Sequence, residues 1–175
     1  MTADAHPIIV CPLTAVERLV AARAPSHLIT LLSPESLIDT PHPLTPDQHL
    51  RLGINDINEP MDGLVAPDEQ TVRAIVDFGA GWDASRPILI HCWAGISRST
   101  ATAFILACER NPHAEEEAIA HELRRRSRFA QPNPRLVALA DALMGRGGRM
   151  SAAVAAMSLA QPTGESEPFE LPARW

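Results

Sequence analysis

The stretch from Pro87 to Cys108 constrains the fold more than any other part of the chain. Pro87-Ile88-Leu89-Ile90-His91 is an apolar run of strand length, and it passes without a linker into Cys92-Trp93-Ala94-Gly95-Ile96-Ser97-Arg98-Ser99. Arg98 then opens a nearly all-apolar helix that continues to Cys108. A helix apolar on every side must be buried. A buried strand feeding a buried helix through a tight turn belongs in a mainly parallel sheet covered on both faces.

The rest of the chain repeats the alternation. Ile8-Ile9-Val10 reads as a strand, followed by Thr14-Ala15-Val16-Glu17 at capping-box spacing and a helical face of Val16, Leu19 and Val20. Leu28 to Leu32 reads as a second strand, and Thr45-Pro46 as the cap and first position of a short helix. Leu50, Leu52 and Ile54 alternate as in a strand. A polar loop from Asn55 to Gly63 precedes a helix opened by Pro67, with Val72, Ile75, Val76 and Gly79 on its buried face. Asn111-Pro112 and Asn133-Pro134 are read as caps of two further helices. The expected architecture is one α/β domain over residues 1–145, with a central sheet of four or five strands flanked by helices. Residues 146–175 form a tail, a short helix with an extended or disordered end. Phe169 and Trp175 are the groups there that could dock a partner.

The turn after the strand carries the chemistry. Backbone N–H groups in such a turn point inward as a nest, and the start of the following helix adds positive potential. Arg98 closes the loop with a fixed cation. Each effect favours thiolate over thiol at Cys92, and the thiolate is the nucleophile. The same loop, Trp93, Ala94, Gly95, Ile96 and Ser97, cradles a phosphate- or sulfate-type anion, and the planar Arg98 guanidinium matches two of its oxygens. Ser99 can donate to the Cys92 sulfur, and His91 orients the loop. A leaving oxygen needs a proton and a hydrolytic water needs a base, and one carboxyl group can serve both steps. Asp56, just past a strand end, is the first candidate; Glu59 and Asp62 share its loop and are the alternatives.

Composition bounds the partners. The chain of 175 residues carries a formal net charge of -6, which disfavours a nucleic-acid backbone as a partner. Lysine and tyrosine are absent, which reads as the base-composition bias of a GC-rich, bacterial genome. No apolar run reaches membrane-spanning length and Met1-Thr2-Ala3-Asp4 lacks a signal-peptide pattern, so a cytoplasmic location without membrane contact is expected. Cys11, Cys92 and Cys108 show no framework spacing. Cys11 and Cys108 read as packing residues, with a Cys11–Cys92 disulfide as the redox alternative. The His residues show no paired ligand spacing. Neither metal nor cofactor is expected, and oligomeric state is left open.

The string His91-Cys92-x-Ala94-Gly95-x-Ser97-Arg98-Ser99 resembles the signature of the protein tyrosine phosphatase superfamily, in its dual-specificity-like branch. The similarity continues through Thr100-Ala101-Thr102-Ala103-Phe104, includes Asp56 at the spacing of that family's general acid, and reaches Pro132-Asn133-Pro134 before its last helix, covering residues 8 to 145. The resemblance implies a phosphatase fold and hydrolysis of phosphate monoesters through a phosphocysteine. Its substrate would be a phosphorylated protein, phosphotyrosine first and phosphoserine or phosphothreonine next, or a small phosphate ester. No tyrosine-bearing recognition loop is present, and the variable loop positions lack the Lys or His usual in phosphoinositide-directed relatives. Two other functions share parts of this pattern. A rhodanese-like sulfurtransferase also cups an anion around a reactive Cys but has no need of Arg98, Ser99 or Asp56 at these spacings. A non-catalytic phosphate-binding module would have no need of the nucleophile.

Overall fold

The computed structural model describes residues 5–175, so the expectation about Met1–Asp4 lies outside the described residues. Five strands, β1 (Ile8–Pro12), β2 (His27–Leu32), β3 (His49–Gly53), β4 (Ile88–Cys92) and β5 (Phe169–Leu171), form one sheet in the order β3-β2-β4-β1-β5. The first four run parallel, and β5 joins the β1 edge antiparallel, with Val10 opposite Phe169. This is the mainly parallel α/β sheet expected.

Alternation along the strands divides the core. Ile8, Val10, Ile29, Leu31, Ile88, Ile90 and Cys92 face the larger cluster, which is covered by α2 (Glu69–Ala80), α3 (Arg98–Arg110), α4 (Glu116–Arg126), α5 (Pro134–Leu143) and α6 (Arg149–Ala155). Ile9, Cys11, Leu28 and Leu89 face the smaller cluster under α1 (Val16–Arg23). Every residue of α3 from Arg98 to Cys108 is buried, as its apolar sequence requires. Close α2–α3 packing depends on Gly79: a Cβ there would lie 2.3 Å from Leu106 Cδ2.

Three local expectations are corrected. The Thr14/Glu17 capping box does not form: α1 is preceded by a short 3-10 helix at Leu13–Ala15, and Thr14 Oγ1 donates instead to Glu165 Oε1 (2.9 Å). Pro67 lies ahead of α2, whose cap is Asp68, accepting from the Thr71 amide (2.8 Å). Asn111 terminates α3 and does not begin α4, which starts at Glu116. Its side chain donates to Ala107 O and Ala173 O and accepts from the Trp175 amide. Asn133 does cap α5, accepting from the Leu136 amide (3.0 Å), and Thr45 and Gln48 make a capping box around a 3-10 turn at Pro46–Gln48. No helix among the described residues is long and apolar enough to cross a membrane.

Candidate active site

Parallel strands place their carboxyl ends on one edge of the sheet, where loops of an open α/β fold make binding sites. Cys92 ends β4 on that edge, Pro12 ends β1, and Gly53 ends β3 just before Ile54 and Asp56. There a cleft of about 790 Å³ is lined by Asp56, Asn58, Cys92, Trp93, Ala94, Ile96, Ser97, Arg98, Gln131, Pro132, Pro134, Val154, Thr163 and Gly164. Cys92 is 2% exposed, and its sulfur lies 3.1 Å from Ser99 Oγ. The Arg98 guanidinium is buried, with Nη1 donating to Ile54 O (2.7 Å), while its buried Nε has no partner among the described residues. A buried donor without a partner is costly, and Arg98 lines the cleft that holds the thiol.

The loop between Cys92 and Arg98 is shaped from outside. In a planar trans peptide the N–H and C=O point opposite ways, so a carbonyl held outward aims the next amide inward. Leu13 N donates to Trp93 O (3.1 Å), Ser166 N to Ala94 O (2.9 Å) and Ser166 Oγ to Gly95 O (2.9 Å). Gln131 N donates to Ile96 O (2.8 Å) and Asn133 N to Ser97 O (3.2 Å). Five consecutive carbonyls are thus tied to surrounding segments, which aims the amides of residues 94–98 at the bowl. Gly95 is required twice over: its φ is +70°, and a Cβ would lie 2.6 Å from Ser166 Oγ and 2.8 Å from Pro12 N. At the start of α3 the Ser97 side chain makes no cap. The helix N-terminus therefore keeps its free amides for an anion.

The Ser97 hydroxyl is turned instead to Asp56, donating to Oδ1 (2.7 Å), and Asn133 Nδ2 donates to the same oxygen (3.0 Å). Asp56 lines the cleft with Cys92, whereas Glu59 and Asp62 do not. Behind Cys92, His91 is fully buried. Its Nε2 bonds Thr30 Oγ1 (2.7 Å), Thr30 Oγ1 bonds His49 Nε2 (2.7 Å), and His49 Nδ1 bonds Thr40 Oγ1 (3.0 Å). His91 Nδ1 lies 3.3 Å from Cys92 O. Burial lowers His91 to about 4, with Cys92 O pulling the other way, and burial lowers His49 to about 4. Both rings are neutral near neutral pH, which suits a hydrogen-bonded support and not a base.

Cys11 stands on the opposite face of the sheet from Cys92, in the smaller cluster, and burial, with Cys92 close by, pushes its thiol up to about 12. This placement disfavours a Cys11–Cys92 disulfide, because a disulfide needs Cβ atoms that face each other. Burial also pushes Cys108, on α3, up to about 12. Sequence reasoning missed Gln131, Val154, Thr163, Gly164 and Ser166. These lie far from the signature in the chain, with no local pattern marking them.

No family model matches the sequence, and no curated protein does. Solved structures do. Cydia pomonella PTP-2 phosphatase matches with a TM-score of 0.57 at 14% identity, over 97% of this chain and 99% of that one. DUSP15 matches with a TM-score of 0.55 at 17% identity, over 87% and 92%. A mouse dual specificity phosphatase in complex with zinc tungstate matches with a TM-score of 0.53 at 15% identity, over 79% and 80%. Near-complete overlap with these proteins, at an identity too low to speak for more than architecture, shows that the chain has the fold of the dual-specificity and protein tyrosine phosphatases.

Proposed function

We propose that the chain hydrolyses phosphate monoesters through a phosphocysteine at Cys92. The observation that carries this reading is the bowl itself: the buried Cys92 thiol among its lining residues, a loop whose carbonyls are tied to surrounding segments, and a buried Arg98 whose Nε has no partner among the described residues. In the first step Cys92 Sγ attacks phosphorus, the ester P–O bond breaks, and the leaving oxygen takes a proton from Asp56. The loop amides and Arg98 stabilise the equatorial oxygens as charge shifts. With Asp56 Oδ1 engaged by Ser97 and Asn133, Oδ2 is the oxygen that carries the proton. In the second step Asp56 takes a proton from water, the water oxygen bonds to phosphorus, and the S–P bond breaks. Ser99 stabilises the departing thiolate from 3.1 Å.

The cleft favours a single phosphate on an aromatic carrier. Trp93 is 60% exposed at its wall, with Ile96, Pro132, Pro134 and Val154 also lining it, and an aromatic face suits an aryl ring. Arg98 is the only cationic side chain among the lining residues. One solved neighbour, PTPMT1, is in complex with PI(5)P, at 18% identity and a TM-score of 0.50. The sparse charge of this cleft points instead to protein phosphotyrosine. The test is hydrolysis of para-nitrophenyl phosphate by the native chain and by Cys92→Ser, with chelator present. Turnover abolished by the substitution supports the reading. No turnover by the reduced native chain overturns it and moves attention to sulfur transfer from thiosulfate.

A further inference from the structure

The C-terminal segment reaches the candidate active-site cleft, where Thr163 and Gly164 are lining residues. β5 runs antiparallel to β1, so the chain enters it from the carboxyl edge of the parallel strands, beside the signature loop. Residues 161–166 approach that point across the cleft. Gln161 N donates to Arg128 O (2.9 Å), Thr163 and Gly164 line the cleft, Glu165 accepts from Thr14, and Ser166 reaches the loop. Ser166 is 4% exposed and makes two bonds to consecutive peptides, its amide to Ala94 O and its hydroxyl to Gly95 O. By peptide planarity those two bonds direct the amides of Gly95 and Ile96 into the bowl. Ser166 Oγ is one of the three atoms that exclude a side chain at Gly95, together with the backbone of Cys11 and Pro12.

We propose that Ser166 is a positioning residue for the anion nest, and that the strap formed by residues 161–166 sets the geometry of phosphate binding from outside the signature loop. The inference rests on the phosphatase reading. Without the hydroxyl, the Gly95 carbonyl loses its partner and the Ile96 amide loses its fixed direction. Preorganised donors matter most where charge develops in the transition state. The loss therefore falls on kcat and on oxyanion affinity together, more than on capture of the aryl group.

The test uses the full chain and inorganic phosphate as probe, measured by calorimetry, with kcat and KM for para-nitrophenyl phosphate and Tm in parallel. Ser166→Ala is expected to weaken phosphate binding about five- to tenfold and to lower kcat by a similar factor. Thr14→Ala loosens the strap through an exposed bond that puts no core packing at risk, and is expected to move both quantities the same way, about twofold. Ile119→Val, in the core under α4, is the stability control: it lowers Tm and leaves phosphate affinity unchanged. A native chain active through Cys92, with Ser166→Ala matching it in affinity and kcat, overturns the positioning role alone. An Ile119→Val chain that loses as much affinity as Ser166→Ala overturns that role too. A native chain that neither binds phosphate nor turns over overturns both readings.

Discussion

Arg98 does two jobs with one guanidinium, and they constrain what can replace it. Nη1 holds Ile54 O, which precedes the Asp56 loop, while Nε, with no partner among the described residues, is left for the anion in the phosphatase reading. Lysine would supply charge but not a fork able to hold Ile54 O and an anion at once. Arg98→Lys is therefore expected to lower kcat/KM for para-nitrophenyl phosphate by about 10²-fold or more. Steady-state kinetics check this, and a near-native value would contradict the geometry. Asp56 is tied through one oxygen to Ser97 and Asn133, so the proposed acid and the loop at the start of α3 are parts of one network. Asp56→Asn keeps both tethers but has no proton to give. It is expected to lose turnover most with alkyl phosphates, whose leaving groups are poor, and to flatten one limb of the pH–rate profile. An unchanged profile would transfer the role to Glu59 or Asp62.

At the scale of elements, the adjacent strands β3, β2 and β4 carry the His49–Thr30–His91 chain through the sheet. Burial lowers both rings from 6.5 to about 4. Between those values the unfolded chain binds protons that the folded chain refuses, so stability falls as pH drops from 6.5 toward 4. Thermal melts across that window are expected to show Tm decreasing, and a flat Tm would contradict neutral buried rings. Helix contacts give a second check. Gly79→Ala would place a methyl against Leu106 and is expected to destabilise by about 1–3 kcal/mol in urea titrations. The elements most legible in the sequence were those with a strong internal pattern: the four parallel strands, α3, and the Asn133 cap. The helix starts were less so. Thr14 had the spacing of a cap but a better partner in Glu165, far along the chain, and Asn111-Pro112 looked like a start because an Asn serves a C-terminus as well.

Across the whole molecule, the candidate active-site edge is assembled from distant parts of the chain. Cys92, Arg98 and Ser99 were readable because the strand, loop and helix that position them are contiguous. Asp56 was readable from its place beyond a strand end. The contacts of Gln131 and Ser166 were not, since carbonyl partners from other segments leave no periodicity or motif. β5 was hidden for the same reason: three residues of an edge strand carry little pattern. The segment that ends in β5 is held by a buried ion pair further back. Arg146 Nη1 lies 3.0 Å from Glu116 Oε1, joining the loop before α6 to α4, and Arg146 Nη2 donates to Cys108 O. Removing Arg146 leaves Glu116 paired only with the more exposed Arg149, at 3.2 Å, so Arg146→Met is expected to cost about 1–3 kcal/mol, read by denaturant unfolding. A cost near zero would show that α6 docks without it.

A phosphocysteine mechanism leaves a covalent intermediate on Cys92 that can be caught. Ser99→Ala removes the hydroxyl beside the sulfur, which slows the departure of thiolate and leaves the first step in place. The variant would be mixed with para-nitrophenyl phosphate, quenched within the first turnover and mapped by peptide mass spectrometry. The account predicts phosphate on the peptide that carries Cys92, accumulating with a burst of nitrophenol. Nitrophenol release with no phosphate on Cys92, or with phosphate on another residue, would contradict it.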